Sequence, residues 1–160
     1  SRKINVNLAT GDFDSITDLQ VERVSLPDQN SSDLDKALRY AAENGADVVD
    51  IVGVEGGEID HQIGVFAALV EAPPELEIYM HMSEHVVMRC LEDLELVLDE
   101  GTKLSLFAFT PCANVSISGV EFPLEDEPLA FSTRGLHNVA LGGPIEIKSD
   151  GALVVVISSH

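Results

Sequence analysis

The chain has 160 residues, 45% of them hydrophobic, which suits one mid-sized domain or two small ones with a packed core. Its 28 acidic and 9 basic residues give a net charge of −19. This charge argues against nucleic acid or a membrane surface as the main partner, and adaptation to high salt would also explain it. With two cysteines and no signal-peptide or membrane-spanning pattern, the sequence predicts a soluble, cytoplasmic protein.

The first half of the chain has the pattern of a parallel α/β unit. Strand-like runs at 4–9 and 21–25 precede the clearest helix, whose apolar residues recur at helical spacing from Leu34 to Ala42. A β-rich run at 48–54, as expected for a strand covered on both faces, leads to a second helix near 60–71. Strand and helix alternate, which indicates a parallel sheet.

Local signals mark the ends of these helices. Ser32 is a predicted N-cap, with Asp35 three residues on in a capping-box arrangement, and Gly45 is a predicted stop just after the first helix. Pro73 and Pro74 end the second helix and mark a predicted domain boundary. The predicted domains are 1–74, an N-terminally truncated α/β domain, and 75–160.

The second half alternates apolar and polar residues in the manner of half-buried strands. Such runs occur at 76–80, 94–99, 104–109, 145–148 and 153–157. Turn residues separate them at short intervals, which is typical of an antiparallel sandwich or barrel. The predicted fold class is therefore α/β followed by all-β, a partial parallel nucleotide-binding unit with an antiparallel β-sandwich.

Three acidic clusters in the first half follow strands or begin helices. Asp12 and Asp14 directly follow the first strand, Asp33 begins the first helix with Lys36 one turn on, and Asp60 begins the second helix after two glycines. Taken singly, each is more commonly a solvated turn or a helix-capping residue. Together they favour a Mg²⁺-phosphate site, because carboxylates at strand ends supply hard oxygen ligands and helix N-termini attract anions.

The motifs GDFDSI, DQNSSDLDKAL and GGEIDH, in this order, resemble the motif series of thiamine pyrophosphokinase. The stretch from SLFAFTPCANVSISG to RGLHN is similar to that family's thiamine-binding β-sandwich, so the resemblance runs over nearly the whole chain. It implies transfer of the pyrophosphoryl group of ATP to the hydroxyl of thiamine, giving thiamine diphosphate and AMP. It also implies a homodimer whose active sites each lie between the α/β domain of one subunit and the sandwich of the other.

Carried over by position, the resemblance assigns roles to particular residues. It implies that Mg²⁺ is held by Asp12, Asp14 and Asp33, with Asp60 joining them as a catalytic residue. It implies ATP contacts for Ser15, Gln29, Ser32, Lys36 and His61. It implies that His137 and Asn138 bind thiamine.

The sequence departs from the family pattern at several of these sites. Glu58 stands where the family usually has a basic residue, Val65 where it has Asn, and His137 where it has Ser. Val139 replaces an acidic residue. The family also begins with a further α/β segment containing an Asp-Gly-Gly turn, so we expect this chain to be truncated at its N-terminus.

Other interpretations of the same residues remain open. Asp12 and Asp14 after a strand also resemble the nucleophile loop of haloacid-dehalogenase phosphatases. A relative that binds nucleotide or thiamine without catalysis is a second alternative. His81 and His85 have helical metal-ligand spacing, but the flanking alternation favours strand and turn.

Overall fold

The structure is a computed structural model, and it describes residues 8–11, 22–25 and 31–159. The described helices are α1 (Asp33–Glu43) and α2 (Ile59–Glu71). The first described strands are β1 (Leu8–Gly11), β2 (Glu22–Ser25), β3 (Val48–Val52), β4 (Glu77–His81), β5 (His85–Cys90) and β6 (Asp93–Leu98). They are followed by β7 (Lys103–Ala108), β8 (Cys112–Ser118), β9 (Leu124–Leu129), β10 (Asn138–Val139), β11 (Gly143–Ser149) and β12 (Leu153–Ser158).

The described strands form three sheets. β1 and β2 pair in parallel as a two-stranded sheet. A six-stranded sheet has the order β10-β7-β12-β5-β4-β3, in which β3 and β4 are parallel and the other pairs antiparallel. A four-stranded antiparallel sheet has the order β6-β11-β8-β9.

Two hydrophobic cores use opposite faces of the six-stranded sheet. On one face Leu153 and Val155 of β12 pack against Ile145 and Ile147 of the four-stranded sheet, which makes the antiparallel sandwich. On the other face Val154 packs with the helices in a second core. Because successive side chains of a strand point to opposite faces, β12 contributes to both cores.

The first helix follows its local signals. The Ser32 hydroxyl accepts a hydrogen bond from the N–H of Asp35 at 3.2 Å, so the predicted N-cap is confirmed. The carboxylate of Asp35 is buried and pairs with Arg39 one turn on. At the other end Gly45 has a φ of +83° and donates to the Ala42 carbonyl, as the predicted stop requires.

Two expectations about strands need correction. The run predicted at 48–54 ends at Val52, and the idea that both of its faces are covered is wrong: Val48 is 53% exposed and Val52 64%. Within the described residues β3 is an edge strand, and only the face carrying Ile51 packs into a core. The first strand extends to Gly11 rather than ending at residue 9, and residues 4–7 lie outside the described residues.

The six-stranded sheet crosses the predicted domain boundary. β3, before residue 74, pairs in parallel with β4, after it, and α2 forms the crossover between them. The chain therefore passes from its helical half into its sandwich half within one hydrogen-bonded sheet.

Candidate active site

The N-terminal turns of both helices border one cavity of about 450 Å³. Four of the residues predicted from sequence line it: Ser32, Asp33, Asp60 and His61. Gly64 and Val65 of α2 complete the wall on that side. Residues 27 positions apart in the chain are thus brought to one place, because α1 and α2 pack side by side on the sheet.

The α1 side of the cavity holds one paired carboxylate. Lys36 is buried, and its Nζ lies 3.1 Å from Oδ1 of Asp33, whose side chain is exposed. The two residues are one helical turn apart, and Asp33 is the member of the pair that lines the cavity. Lys36, predicted to contact a phosphate, is therefore engaged by Asp33 in this structure.

The α2 side begins with the glycine-rich turn at 53–57. Gly56 and Gly57 have φ values of +92° and +84°, a left-handed conformation that side-chain-bearing residues seldom adopt. The carbonyls of Val54 and Gly56 accept hydrogen bonds from the amide of Gln62, which ties the turn to the helix that follows.

A contact from the next hairpin fixes the same turn from outside. The Glu55 carboxylate accepts hydrogen bonds from both the backbone N–H and the hydroxyl of Ser83, in the turn between β4 and β5. These bonds stabilise the charged form and hold the pKa of Glu55 below its usual value. Glu55 and Ser83 were not identified from sequence, since 28 residues separate them and no local pattern links them.

The start of α2 places a second carboxylate at the cavity. Glu58 occupies the N-cap position without a side-chain capping bond, and Oδ1 of Asp60 accepts the N–H of His61 at 2.8 Å. Asp60 and His61 are exposed, so their outer atoms are accessible from the cavity. Asp60 is thus a first-turn residue rather than the N-cap.

The chemistry of these groups suits a cation-mediated phosphate site. Two helix N-termini favour negative charge, but the carboxylates of Asp33 and Asp60 would repel a bare phosphate. Carboxylate oxygens are the donors that Mg²⁺ prefers, so the donor type fits this ion. Among residues 8–11, 22–25 and 31–159 no group of three or more His, Cys, Asp or Glu is arranged to hold a metal. Asp12, Asp14, Ser15 and Gln29 lie outside these ranges.

The two residues predicted for thiamine lie elsewhere, on a segment between two cavities. Asn138 borders a cavity of about 270 Å³ together with Phe122 and Arg134, and His137 borders another of about 410 Å³. The Asn138 amide donates to the Phe122 carbonyl at 2.7 Å and accepts from the Phe122 N–H at 3.0 Å. Asn138 therefore also fixes the loop before β9.

The histidines with metal-ligand spacing lie on different strands. His81 ends β4 and His85 begins β5, so the strand-and-turn interpretation is confirmed. His81 Nε2 lies 2.6 Å from Oδ1 of Asp50 on the neighbouring strand.

None of the described helices is long and apolar enough to cross a membrane.

Comparison with known proteins identifies the family. Residues 1–80, half of the chain, match the family described as thiamin pyrophosphokinase, catalytic domain. The thiamine pyrophosphokinase of Bacillus subtilis (strain 168) is 27% identical over 165 residues, covering 88% of this chain and 77% of that protein.

Solved structures share the fold. The crystal structure of the Bacillus subtilis thiamine pyrophosphokinase has a TM-score of 0.80 at 22% identity, covering 95% of this chain and 78% of that one. Its Geobacillus thermodenitrificans counterpart has a TM-score of 0.74 at 21% identity, covering 94% and 76%. The yeast enzyme has a TM-score of 0.70 at 11% identity, covering 95% and 69%.

Family match and fold together define a transferase, which confirms the prediction of an enzyme. The chain belongs to the thiamin pyrophosphokinase family, as the resemblance of its motifs predicted.

Proposed function

We propose that this chain transfers the pyrophosphoryl group of ATP to the hydroxyl of thiamine in the cytoplasm, with Mg²⁺ as cofactor, releasing AMP. The observation that carries the proposal is the cavity where Ser32 and Asp33 of one helix start meet Asp60 and His61 of the other. In a chain of this family, such a cavity is the natural place for the phosphates of the donor.

The residues around this cavity act by charge and position. Pyrophosphoryl transfer needs the donor and the acceptor oxygen held in line and the charge on the phosphates balanced, and it needs no protein nucleophile. The two helix N-termini orient phosphate oxygens, and Ser32 and His61 border the space where those oxygens would lie. Lys36 supplies a positive charge that it now shares with Asp33.

The carboxylates set the requirement for a metal. Asp33 and Asp60, with Asp12 and Asp14 as the sequence predicts, would hold Mg²⁺, which neutralises phosphate charge when it is bound. The carboxylates themselves leave the cavity too negative for a triphosphate without a cation. The proposed reaction therefore stops when divalent cations are removed.

The acceptor is proposed to contact His137 and Asn138. In one chain these residues line other cavities than the one bordered by Asp33 and Asp60. This separation supports the proposed homodimer, in which the sandwich of one subunit completes the phosphate cavity of its partner. Two free, buried cysteines are consistent with the reducing compartment that the proposal names.

Product analysis tests the reaction. The protein is incubated with Mg-ATP and thiamine, and thiamine diphosphate and AMP are measured by mass spectrometry. We expect both products in equal amounts, loss with EDTA, and about a hundredfold slower formation by Asp33→Asn, since one charged group that positions the phosphates is removed. Asp47→Asn, an exposed carboxylate in the turn before β3, is the matched control and should retain full activity. Absence of both products from the folded protein would refute the proposal.

Mixing two strongly impaired variants tests the shared site. Asp33→Asn and Asn138→Ala should each form product far more slowly than the wild type, yet a heterodimer of the two has one site free of both changes. After subunit exchange we expect about a quarter of the wild-type rate, because half of the dimers are mixed and half of their sites intact. If subunit exchange is demonstrated and the rate of product formation still does not recover, each active site lies within one chain.

A further inference from the structure

The first turn of α2, which borders the cavity with Asp60 and His61, gains little support from the hydrophobic core. The buried residues of this helix begin at Val65, beyond its first turn. Ile59 is 76% exposed and Ile63 is 60% exposed. Packing in the core therefore does not fix where the first turn lies.

The glycine-rich turn at 53–57, which leads into α2, has little packing of its own. Gly53, Gly56 and Gly57 all have positive φ, and among the described residues a Cβ at any of them would meet nothing within 4 Å. The glycines therefore serve the path of the backbone, and they give it more conformational freedom than other residues would. Within the described part of the chain, the N-cap residue Glu58 forms no side-chain capping bond. Hydrogen bonds from neighbouring groups are thus the main restraint on this turn.

Glu55 ties the glycine-rich turn to the six-stranded sheet. This residue is exposed, and its Oε2 accepts both the N–H of Ser83, at 3.0 Å, and the Ser83 hydroxyl. Gln62 also bonds to the turn, but it belongs to α2 and moves with that helix. Of these two contacts, the one through Glu55 is the one that joins the turn to a different element, the hairpin of β4 and β5.

Ser83 is held firmly at the end of this hairpin. The N–H of Met82 donates to the His85 carbonyl at 2.8 Å, which closes the hairpin turn. The Glu84 carbonyl accepts the N–H of Ser159, just beyond β12, also at 2.8 Å. Because the hairpin turn is bonded both within itself and to the end of the neighbouring strand, a group bound to Ser83 is fixed relative to the sheet.

We propose that Glu55 is a positioning residue of the phosphate cavity. Through Ser83 it holds the glycine-rich turn, and with it the first turn of α2, where Asp60 and His61 meet the donor. Glu55 is not among the described residues that border the cavity, so its effect passes through the start of the helix. Because Asp60 and His61 face the donor of the proposed reaction, this role of Glu55 rests on the proposed function.

Loss of the bonds to Glu55 should loosen the first turn of α2 without unfolding the molecule. Two hydrogen bonds to a charged acceptor are enough to change the population of a local opening about tenfold. If the first turn is ordered in only about a tenth of the molecules, the donor binds about tenfold more weakly.

Hydrogen exchange of the full chain without ligands measures the order of the turn. In Glu55→Ala we expect the amides of residues 53–62 to exchange about tenfold faster than in the wild type, and those of β12 to be unchanged. Glu55→Gln keeps the length of the side chain and an acceptor oxygen, so it should restore most of the protection. Glu84→Ala is the matched control, because it removes an exposed carboxylate next to Ser83 and keeps the carbonyl that Ser159 uses.

Calorimetric titration with Mg-ATP, without thiamine, measures the effect on the donor. We expect about tenfold weaker binding by Glu55→Ala, at an unchanged melting temperature, and binding close to that of the wild type by Glu55→Gln and Glu84→Ala. Ser83→Ala keeps its N–H bond and should lose less affinity than Glu55→Ala. Added to Glu55→Ala, the serine change should have no further effect, because its partner is already absent.

Three results would overturn the role of Glu55. They are unchanged exchange at 53–62 in Glu55→Ala, full retention of Mg-ATP binding by this variant, and an equal loss in Glu84→Ala. If the wild type itself fails to bind Mg-ATP, the proposed function is refuted and the role of Glu55 with it. The two failures are distinguishable, because wild-type binding that survives Glu55→Ala contradicts the role of Glu55 alone.

Discussion

Gly135 occupies the tightest backbone contact near the predicted acceptor segment. A Cβ at this position would lie 2.1 Å from the carbonyl oxygen of Leu106, and the Gly135 carbonyl accepts the Leu106 N–H at 2.8 Å. Since the obstacle is strand backbone, no side chain can move aside to make room. The close approach also sets where His137 and Asn138 lie, two and three residues further on.

Replacing Gly135 with Ala should therefore destabilise the protein and displace this segment. We expect the free energy of unfolding in urea to fall by about 1–3 kcal/mol, the usual cost of overpacking. Gly64→Ala is the control, because a Cβ there meets nothing within 4 Å and α2 gains a better helix former. If Gly135→Ala and Gly64→Ala have the same free energy of unfolding, the close contact between Gly135 and the Leu106 backbone is contradicted.

Cys90 is a buried thiol whose environment opposes ionisation. Burial raises its pKa from an ordinary 9.0 to about 11, and nearby Asp93 adds to the effect. The folded chain then keeps a proton that the unfolded chain loses between these pH values. By linkage this contribution to stability is complete below pH 9 and is lost as the pH rises to about 11.

Two measurements follow for Cys90. Native protein should react with iodoacetamide far more slowly than urea-unfolded protein, and its free energy of unfolding should fall between pH 9 and pH 11 more steeply than that of Cys90→Val. Lysines and tyrosines titrate in the same interval in both proteins, so the difference between the curves isolates the thiol. Parallel curves would show that Cys90 ionises as readily in the folded state.

At the scale of elements, one side chain joins the end of α2 to the sheet. Arg89 of β5 is half-buried and donates to the carbonyls of Ala72, Pro73 and Leu76, in the link between α2 and β4. Desolvation lowers the pKa of its guanidinium, which still remains charged near neutrality. The helix has no basic residue in its last turn, so Arg89 supplies the cation that a helix C-terminus favours.

Arg89→Met should cost about 2–3 kcal/mol of unfolding free energy, because charge-assisted bonds are lost and carbonyls are left without their donor. Arg134→Met removes a guanidinium from an exposed pair with Glu127 and should cost at most about 1 kcal/mol. Urea unfolding of both variants measures the contrast. A similar loss in both would mean that the link at 72–76 is held by its own packing.

Local signals predicted some elements well and others poorly. α1 could be predicted from the sequence because its apolar stripe, its N-cap Ser32 and its stop at Gly45 all belong to one short continuous segment. β9 was not identified: it has the sequence Leu-Glu-Asp-Glu-Pro-Leu, forms a sheet edge and pairs with register shifts, so alternation and β propensity are both weak. β10 has two residues, too few for any periodicity.

The site was predictable in part for the same reason. Ser32, Asp33, Asp60 and His61 belong to helix starts, which sequence marks clearly, and the structure brings them to one cavity. The bond from Ser83 to Glu55 depends on the pairing of β3 with β4, which no local pattern in this sequence specifies.

At the scale of the whole molecule, charge repulsion is the dominant long-range term. Most of the 28 acidic side chains cannot be paired by 9 basic ones, so the compact state brings like charges together. Added salt screens this repulsion more in the folded chain than in the expanded one.

We therefore expect the free energy of unfolding at pH 7 to rise between about 0.02 M and 0.5 M NaCl, a range over which the Debye length falls severalfold. Urea unfolding at each NaCl concentration measures this free energy. The dependence of the free energy on urea concentration should stay the same throughout. A free energy that stays constant or falls with salt would mean that paired charges outweigh the repulsion.

The position of β12 has a consequence for biosynthesis. This strand follows every other described strand in the chain, yet it is inserted between β5 and β7 in the middle of the six-stranded sheet. Until residues 153–158 have been translated and have left the ribosome, both hydrophobic cores lack their shared strand. Folding of the sandwich and of the helical layer therefore completes only after translation has passed this strand, and until then the nascent chain exposes apolar surface that chaperones bind.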